Sequence, residues 1–449
     1  MEIEVRQIGA IKEGSIKVNG LTILAGHNDS GKSTIGKLLF AITKAISRYE
    51  EDFREDLESK ILARIEKIYF RVRKYKFLLK IDDSIEWEIR RLFFPPYFLK
   101  DVDLEGQRAV EKREIFIKRW ADMPEKREIL HLLEELKLIL GKDKLASEKE
   151  AIEEALNRVF ISEFEDQLIS KKNRKGSVVL KEEGREIVKI EIIYTSGRYK
   201  VRLEEKGEGG IDGLRSIFFK DATFIETPVV LNYQEAFENA KSYFEIRTEM
   251  DKLRRLGRPN IQFHTRDLDL KLKEKVYEEK NSSILQKIEK VIGGRVVFDK
   301  KRREFLFRKV EKGENVKIIN TASGIKSFGI IQLLLKTSFL EERTLLIIDE
   351  PEVHLHPIWQ LKYAEVIAML IKEGISVVTT SHNPYMVDAL NLYAEKEGIK
   401  NWTNLYLVEE GIVTETGVGR IFKSLGDPIE ELRKLRYQLL EKKLDKQKK

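Results

Sequence analysis

The sequence predicts an α/β fold: a mostly parallel sheet flanked by helices, an antiparallel β part, and an inserted helical domain. Three stretches carry that expectation. Leu21–Ala25, Thr344–Ile348 and Ile375–Thr380 are short apolar runs rich in β-branched residues, and each passes into a polar turn followed by helical periodicity. Runs of that length and composition suit buried strands, and strand–turn–helix units build parallel sheets.

The first run leads into Gly26-His27-Asn28-Asp29-Ser30-Gly31-Lys32-Ser33-Thr34, followed by the helix-like Ile35–Ile42. This is the phosphate-binding pattern G-x-x-x-x-G-K-S, with the strand before it and the helix after it that its mechanics require. Glycines let the backbone wrap closely round phosphates, while successive N–H groups and the helix N-terminus face negative charge. Lys32 is then placed to reach the β- and γ-phosphates of ATP, and the Ser33 hydroxyl to ligate Mg²⁺. The candidate ATP-binding residues here are Gly26, Asn28, Asp29, Ser30, Gly31, Lys32, Ser33 and Thr34. A chance glycine-rich turn is the competing reading, and the flanking strand and helix weigh against it.

The second run ends on Asp349-Glu350-Pro351. The carboxyl ends of parallel strands border the ligand crevice, so Asp349 is placed to hold Mg²⁺, directly or through water. Glu350 is placed to orient or deprotonate an attacking water. Two adjacent acids closing an apolar strand are costly for folding alone. The third run is capped by Ser381-His382-Asn383-Pro384. His382 is open to two readings, a γ-phosphate contact or a capping or core residue, and its place after Asp349 in a strand–helix–strand unit favours the first. Thr321-Ala322-Ser323-Gly324-Ile325-Lys326-Ser327 precedes an apolar helix from Phe328 to Leu335. Its Ser323 and Gly324 form either a plain N-cap or an anion site at a helix N-terminus.

Composition narrows the class. The 449 residues include 83 Lys and Arg against 76 Asp and Glu, a net charge of +7 that leans mildly toward acidic partners such as DNA. The charges are interleaved, which makes a densely charged surface the simpler account. Cysteine is absent, which excludes disulfides and thiolate metal sites. The charged N-terminus has no signal-peptide core and no apolar run approaches bilayer length, so a soluble, cytoplasmic protein without membrane contact is expected. High Lys and Glu with few Asn and Gln point toward a thermophilic source.

The ordered set resembles the ABC class of P-loop ATPases: a Walker A loop (Gly26–Ser33), a degenerate signature (Ser323–Lys326), Walker B with its catalytic glutamate (Ile347–Pro351), and a switch histidine (His382). Glu350-Pro351-Glu352-Val353-His354-Leu355-His356-Pro357 is similar to the OLD, RecF and SMC-like non-transporter group, of AAA15 and AAA21 type. Ala322–Gly329 is similar to stand-alone ATPases of anti-phage defence, the Septu-type and PARIS-type systems. The resemblance covers residues 1–45 and 290–430, and Ile325 stands where the common signature has its second glycine. It implies ATP and Mg²⁺ as ligands and heads that pack head to tail. Ser323, Gly324 and Lys326 then act in trans on ATP held by the loop of Lys32, in a homodimer or higher homo-oligomer. It also implies that His354 and His356 border the dimer interface, which competes with a metal-binding reading of the H-x-H pair.

The domain expectations follow. Residues 1–45 carry the N-terminal part of the head, 46–170 a charged helical insertion, and 171–233 the antiparallel part. Residues 234–292 are a further helical insertion, 293–430 the C-terminal part of the head, and 431–449 a basic helix and tail. No heptad persists long enough for a coiled-coil arm. Phe93–Phe98 reads as a packed turn or a partner-docking loop. Thr195–Arg198 signals a hairpin. Gln234 is a candidate metal-binding Q-loop residue. The basic clusters Lys171–Lys175 and Lys300–Arg303 read as solvated turns or phosphate contacts. The last helix, Ile429 to Leu444, has leucines on one side and either docks a neighbour or packs on the same head.

Two functions are weighed. The leading one is an ATPase that oligomerises and controls a separate effector, a nuclease or toxin, in anti-phage defence. The alternative is a DNA-repair ATPase of RecF or SMC character acting on DNA directly. A nuclease site within this chain is not expected, since the one later D-x-D pair, Asp267 and Asp269, falls within a charged helical segment.

Overall fold

A computed structural model of the chain describes residues 1–76, 83–119, 125–141, 148–165, 167–169, 174–195, 198–205, 219–233, 261–274, 282–311, 313–426 and 428–447. The first three strands, β1 (Glu2–Ile8), β2 (Ile11–Lys17) and β3 (Leu21–Ala25), precede a helix α1 (Lys32–Lys76). Three further strands follow much later, β4 (Lys175–Glu182), β5 (Arg185–Thr195) and β6 (Arg198–Glu205), and then β7 (Asp221–Ile225). A small hairpin with an added strand comprises β8 (Gly294–Asp299), β9 (Glu304–Lys309) and β10 (Asn315–Lys317). The remaining strands are β11 (Thr344–Ile348), β12 (Ser376–Ser381), β13 (Thr403–Glu409) and β14 (Ile412–Glu415).

Among the described residues eleven strands form one sheet, in the order β6-β5-β4-β1-β2-β14-β13-β3-β12-β11-β7. From β13 to β7 every pairing is parallel. Here β3, β11 and β12 are buried along their whole length, as a sheet covered on both faces demands. From β6 to β2 every pairing is antiparallel, and burial alternates along β1 and β2. The expected parallel and antiparallel parts are thus both present, hydrogen-bonded into one sheet. The parallel pair β14 and β2 joins them. Registers bring the carboxyl ends of the central strands level: Ser381 faces Ala25, and Ile348 faces both Thr379 and Ile225.

The chain divides into two compact units. The first draws on residues 1–47, 156–242 and 259–449 and contains the sheet. Its helices include α7 (Phe263–Lys273), α8 (Ser283–Ile292), α9 (Ser323–Lys336), α10 (Pro357–Lys372), α11 (Pro384–Lys396), α12 (Val418–Leu425) and α13 (Pro428–Gln447). The second unit comes mainly from residues 48–155. Between α1 and α7 lie α2 (Asp83–Phe93), α3 (Pro95–Glu105), α4 (Gln107–Arg119), α5 (Lys126–Gly141) and α6 (Glu148–Phe164).

The second unit has its own core, with Ile65, Ile68, Phe93, Phe98, Ile117 and Leu133 fully buried. The aromatic stretch belongs to it. Phe93 and Phe98 meet edge to face at 6.4 Å, and Pro95 starts α3, where its missing N–H is harmless. Arg113 is buried beside them, donating to Leu92 O, Ala109 O and Asp101, with its guanidinium 3.8 Å from the centre of the Phe98 ring.

In the first unit a buried group of four charges fastens α1 and α7 to β7. Lys44 lies 2.5 Å from Asp221 and 2.8 Å from Asp267, and Lys271 lies 2.6 and 3.0 Å from the same two acids. Two cations and two anions cancel, which is the condition for burying them. Asp269 pairs with Lys273 at 2.7 Å. The Lys300–Arg303 cluster is a turn between β8 and β9, with the Asp299 carboxylate accepting from the N–H groups of Lys301 and Arg302. Lys171–Asn173 and Gln234 lie outside the described residues. Leu432, Leu435, Leu439 and Leu440 of α13 are about half exposed or more. No described helix is long and apolar enough to cross a membrane.

Candidate functional site

The site forms where four parallel strands end side by side. The loop after β3 turns sharply: Asp29 and Gly31 have left-handed φ values of 62° and 102°. A Cβ on Gly26 would lie 2.5 Å from the Val408 carbonyl oxygen, and one on Gly31 would lie 2.5 Å from Ile11 Cδ1. Both positions therefore require glycine for the loop to keep its course. Inside the loop the Ser30 hydroxyl is buried, with no hydrogen-bond partner among the described residues.

Lys32, at the start of α1, is 4 % exposed. Its ammonium donates to the His27 carbonyl at 2.7 Å and lies 4.0 Å from the Glu350 carboxylate. Burial pushes its pKa below the ordinary lysine value, against the pull of Glu350, Asp349 and Glu352. Ser33 donates its hydroxyl to Asp349, at 2.8 and 3.0 Å to the two oxygens. Thr380 Oγ1 donates to the same carboxylate at 2.5 Å and accepts from the Glu350 N–H at 3.0 Å. Burial raises the Asp349 pKa above the usual aspartate value. The hydroxyl bonds from Thr380 and Ser33 oppose this, and the nearby Glu350 and Glu226 add to it.

Glu350 itself sits at φ 47°, a left-handed conformation uncommon for a residue with a Cβ. His382 Nδ1 is 3.1 Å from Glu350 Oε1 and 3.6 Å from Glu352 Oε1. Glu352 is almost fully buried, and its Oε1 accepts from Ser381 Oγ at 2.7 Å and from the His382 N–H at 3.1 Å. Burial raises the Glu352 pKa, opposed by these bonds. Gln360 donates to the carbonyls of Glu352 and Leu355 at 3.2 Å, and accepts from Asn383 at 3.3 Å.

A second charged group borders the site. Glu226 directly follows β7, the strand beside β11, and lies 3.2 Å from Lys37 and 3.3 Å from His264 Nε2. His264 is buried, and its Nδ1 is 2.6 Å from Glu163. Although burial alone would lower it, these two carboxylates raise the His264 pKa to about 9. The His264 bond, with Lys37, holds Glu226 at about 2.

The structure thus gathers Gly26, Lys32, Ser33, Asp349, Glu350 and His382, and adds Thr380, Glu352, Gln360 and Glu226. Asn28 and Asp29 lie exposed in the loop, and Thr34 is half-buried on α1. Ser323 and Gly324 stand at the N-terminus of α9, where no side chain caps the helix. A Cβ on Gly324 would lie 2.6 Å from Trp359 Cε3. Lys326 is buried, its pKa lowered by burial, with Ile319 O as acceptor at 3.5 Å. Among the described residues no hydrogen bond or ion pair ties Ser323, Gly324 or Lys326 to the loop of Lys32. His356 caps α10, accepting from the Ile358 N–H at 3.3 Å, and no described group of His, Asp and Glu is arranged to hold a metal by itself.

The fold is similar to several solved structures at low identity. The SMC head domain from Thermotoga maritima aligns at 10% identity and TM-score 0.36, covering 92% of this chain and 97% of that one. An Smc head domain bound to the C-terminal domain of ScpA, derived from Pyrococcus furiosus, aligns at 13% and 0.38, covering 96% and 98%. The ADP conformation of an ATP-binding cassette of an ABC transporter aligns at 13% and 0.33, covering 95% and 96%. No curated protein matches the sequence. Residues 1–387, spanning the loop of Lys32 and the carboxyl ends of β11 and β12, match the AAA ATPase domain family, and the chain belongs to that family.

Proposed function

We propose that this chain binds ATP with Mg²⁺ at the site of Lys32, Ser33 and Asp349 and hydrolyses it with Glu350 as general base. The carrying observation is the run of hydrogen bonds from Ser33 through Asp349 and Thr380 to the Glu350 N–H, with His382 Nδ1 3.1 Å from the Glu350 carboxylate. A hydroxyl and a buried carboxylate sharing hydrogen bonds beside a phosphate loop suit a hard divalent cation. The glycine-enforced turn and the unpartnered Ser30 hydroxyl suit a phosphate chain. Lys32 neutralises phosphate oxygens, Ser33 and Asp349 hold the ion, and Glu350 takes a proton from the attacking water. Mg²⁺, held there, would supply neutralisation of phosphate charge. His382, 3.1 Å from Glu350, makes the γ-phosphate contact in this reading.

Ser323, Gly324 and Lys326 complete the site from a second copy in this reading, as a homodimer or larger homo-oligomer. The assembled ATPase then controls a separate nuclease or toxin effector in anti-phage defence. Asp267 and Asp269, the D-x-D pair, are engaged in lysine ion pairs. A DNA-repair role is the second reading, favoured by the ordered, exposed basic turn at Lys300–Arg303.

Glu350→Gln keeps the shape of the side chain while removing the base. It is expected to retain ATP and lose turnover by at least about a hundredfold, the scale of a general base. ATP-trapped Glu350→Gln protein drawn from its native context should carry a stoichiometric effector. Turnover at the unsubstituted rate would remove Glu350 from the mechanism, and DNA recovered alone with a bare dimer would favour the repair reading.

A further inference from the structure

Glu352 is a buried carboxylate that, among the described residues, makes no hydrogen bond or ion pair with Ser33, Asp349 or Lys32, yet it binds the segment carrying His382 at two points. A carboxylate removed from water is costly unless its oxygens accept good hydrogen bonds. Here Oε1 takes both the Ser381 hydroxyl, at 2.7 Å, and the His382 N–H, at 3.1 Å, while Oε2 is buried with no hydrogen-bond partner among the described residues. Gln360 adds a second tie between the same two loops, from the Glu352 carbonyl to Asn383. Ser381 also accepts from the Asn383 N–H at 3.0 Å, so the hydroxyl that Glu352 holds in turn shapes the turn into α11. The loop after β11 and the loop after β12 are therefore joined by side chains rather than by strand pairing, which ends at Ile348 and Thr379. Glu350 and His382 belong to those two loops, and their 3.1 Å separation depends on how the loops are held.

We propose that Glu352 is a positioning residue for this site, setting the distance between Glu350 and His382 without touching substrate. The proposal rests on the ATPase reading above and assigns the third acid of the Asp349–Glu352 segment a task distinct from the second.

The experiment compares Glu352→Ala, Glu352→Gln, Ser381→Ala and the double Glu352→Ala/Ser381→Ala in the full chain. It measures steady-state ATP turnover, affinity for a fluorescent ATP analogue, and thermal midpoint. Glu352→Ala is expected to lower kcat about tenfold or more with analogue affinity within about threefold of the parent, since one charge-assisted hydrogen bond is worth about that factor. Glu352→Gln keeps an acceptor oxygen and recovers most of kcat. Ser381→Ala lowers kcat in the same direction, and the double variant falls no further than Glu352→Ala alone, because the two act as one unit.

A parent-like kcat in Glu352→Ala would overturn the proposal. So would equal losses in Glu352→Gln and Glu352→Ala, or losses that track the thermal midpoint and analogue affinity across all four variants. Failure of the underlying reading looks different: the parent chain then shows no turnover, or Glu350→Gln leaves turnover intact.

Discussion

His264 shows how one buried ring carries a pH dependence for the whole first unit. Its pKa stands at about 9 in the fold against an ordinary value of 6.5, because Glu163 and Glu226 face its two nitrogens. A raised folded pKa gives stability that is complete below about pH 6.5 and is lost as pH rises through about 9. The difference is of order 3 kcal/mol. His264→Gln should therefore lower stability by roughly that amount at pH 6, and the gap from the parent should close by pH 10, read as urea midpoints across pH. A gap that stays constant with pH would show that only packing was lost. His264 did not announce itself in the sequence, since an isolated histidine in a charged stretch has no local partner. Lys32, Ser33, Asp349, Glu350 and His382 are legible because their spacing from strand ends is local. Thr380 is not, for it reads as one more β-branched strand residue. Its hydroxyl reaches Asp349 only because β12 lies parallel to β11.

Helix α9 meets α10 through the smallest possible side chain. Gly324 leaves room for the Trp359 ring, which also packs edge to face on Phe328 at 5.8 Å. Gly324→Ala should then cost about 1–3 kcal/mol by overpacking. Combining it with Trp359→Leu should cost less than the sum of the two single changes, since the clash has gone. Equilibrium denaturation of the two single variants and the double variant gives the comparison, and strict additivity would refute the contact. The family resemblance gives Gly324 a phosphate-facing reason to lack a side chain, and the packing supplies another, which lay in Trp359 and not in the signature. Similarly, the β5–β6 hairpin is legible from its turn, whereas its continuation through β4 onto β1 joins residues too distant in sequence for any turn signal to foretell.

At the scale of the molecule, the sheet is closed by residues beyond those that match the family. The match ends at residue 387, while β13 and β14 insert between β3 and β2. A chain ended after Trp402 would leave β3 paired on one side only, with β12, and β2 without β14. It should show no cooperative thermal transition and elute as aggregate, since an unpaired apolar strand edge recruits other chains. A monomeric, cooperatively melting truncation would show the parallel strands to be independent of β13. The α/β class was readable because β3, β11 and β12 are continuous apolar runs. The joining of parallel and antiparallel parts through β14 and β2 was not, because that pairing brings the two ends of the chain together.

The left-handed backbone at Glu350 carries a consequence for how such a chain changes under selection. A residue with a Cβ at that φ gives up about 1 kcal/mol that glycine or asparagine would recover. A library of variants enriched for heat resistance alone should drift at position 350 toward those two residues and produce hardier, inert proteins. On the reading proposed for Glu350, lineages that keep glutamate there despite the strain are those in which the carboxylate is still in use, and the identity of this one residue then separates working copies from relics.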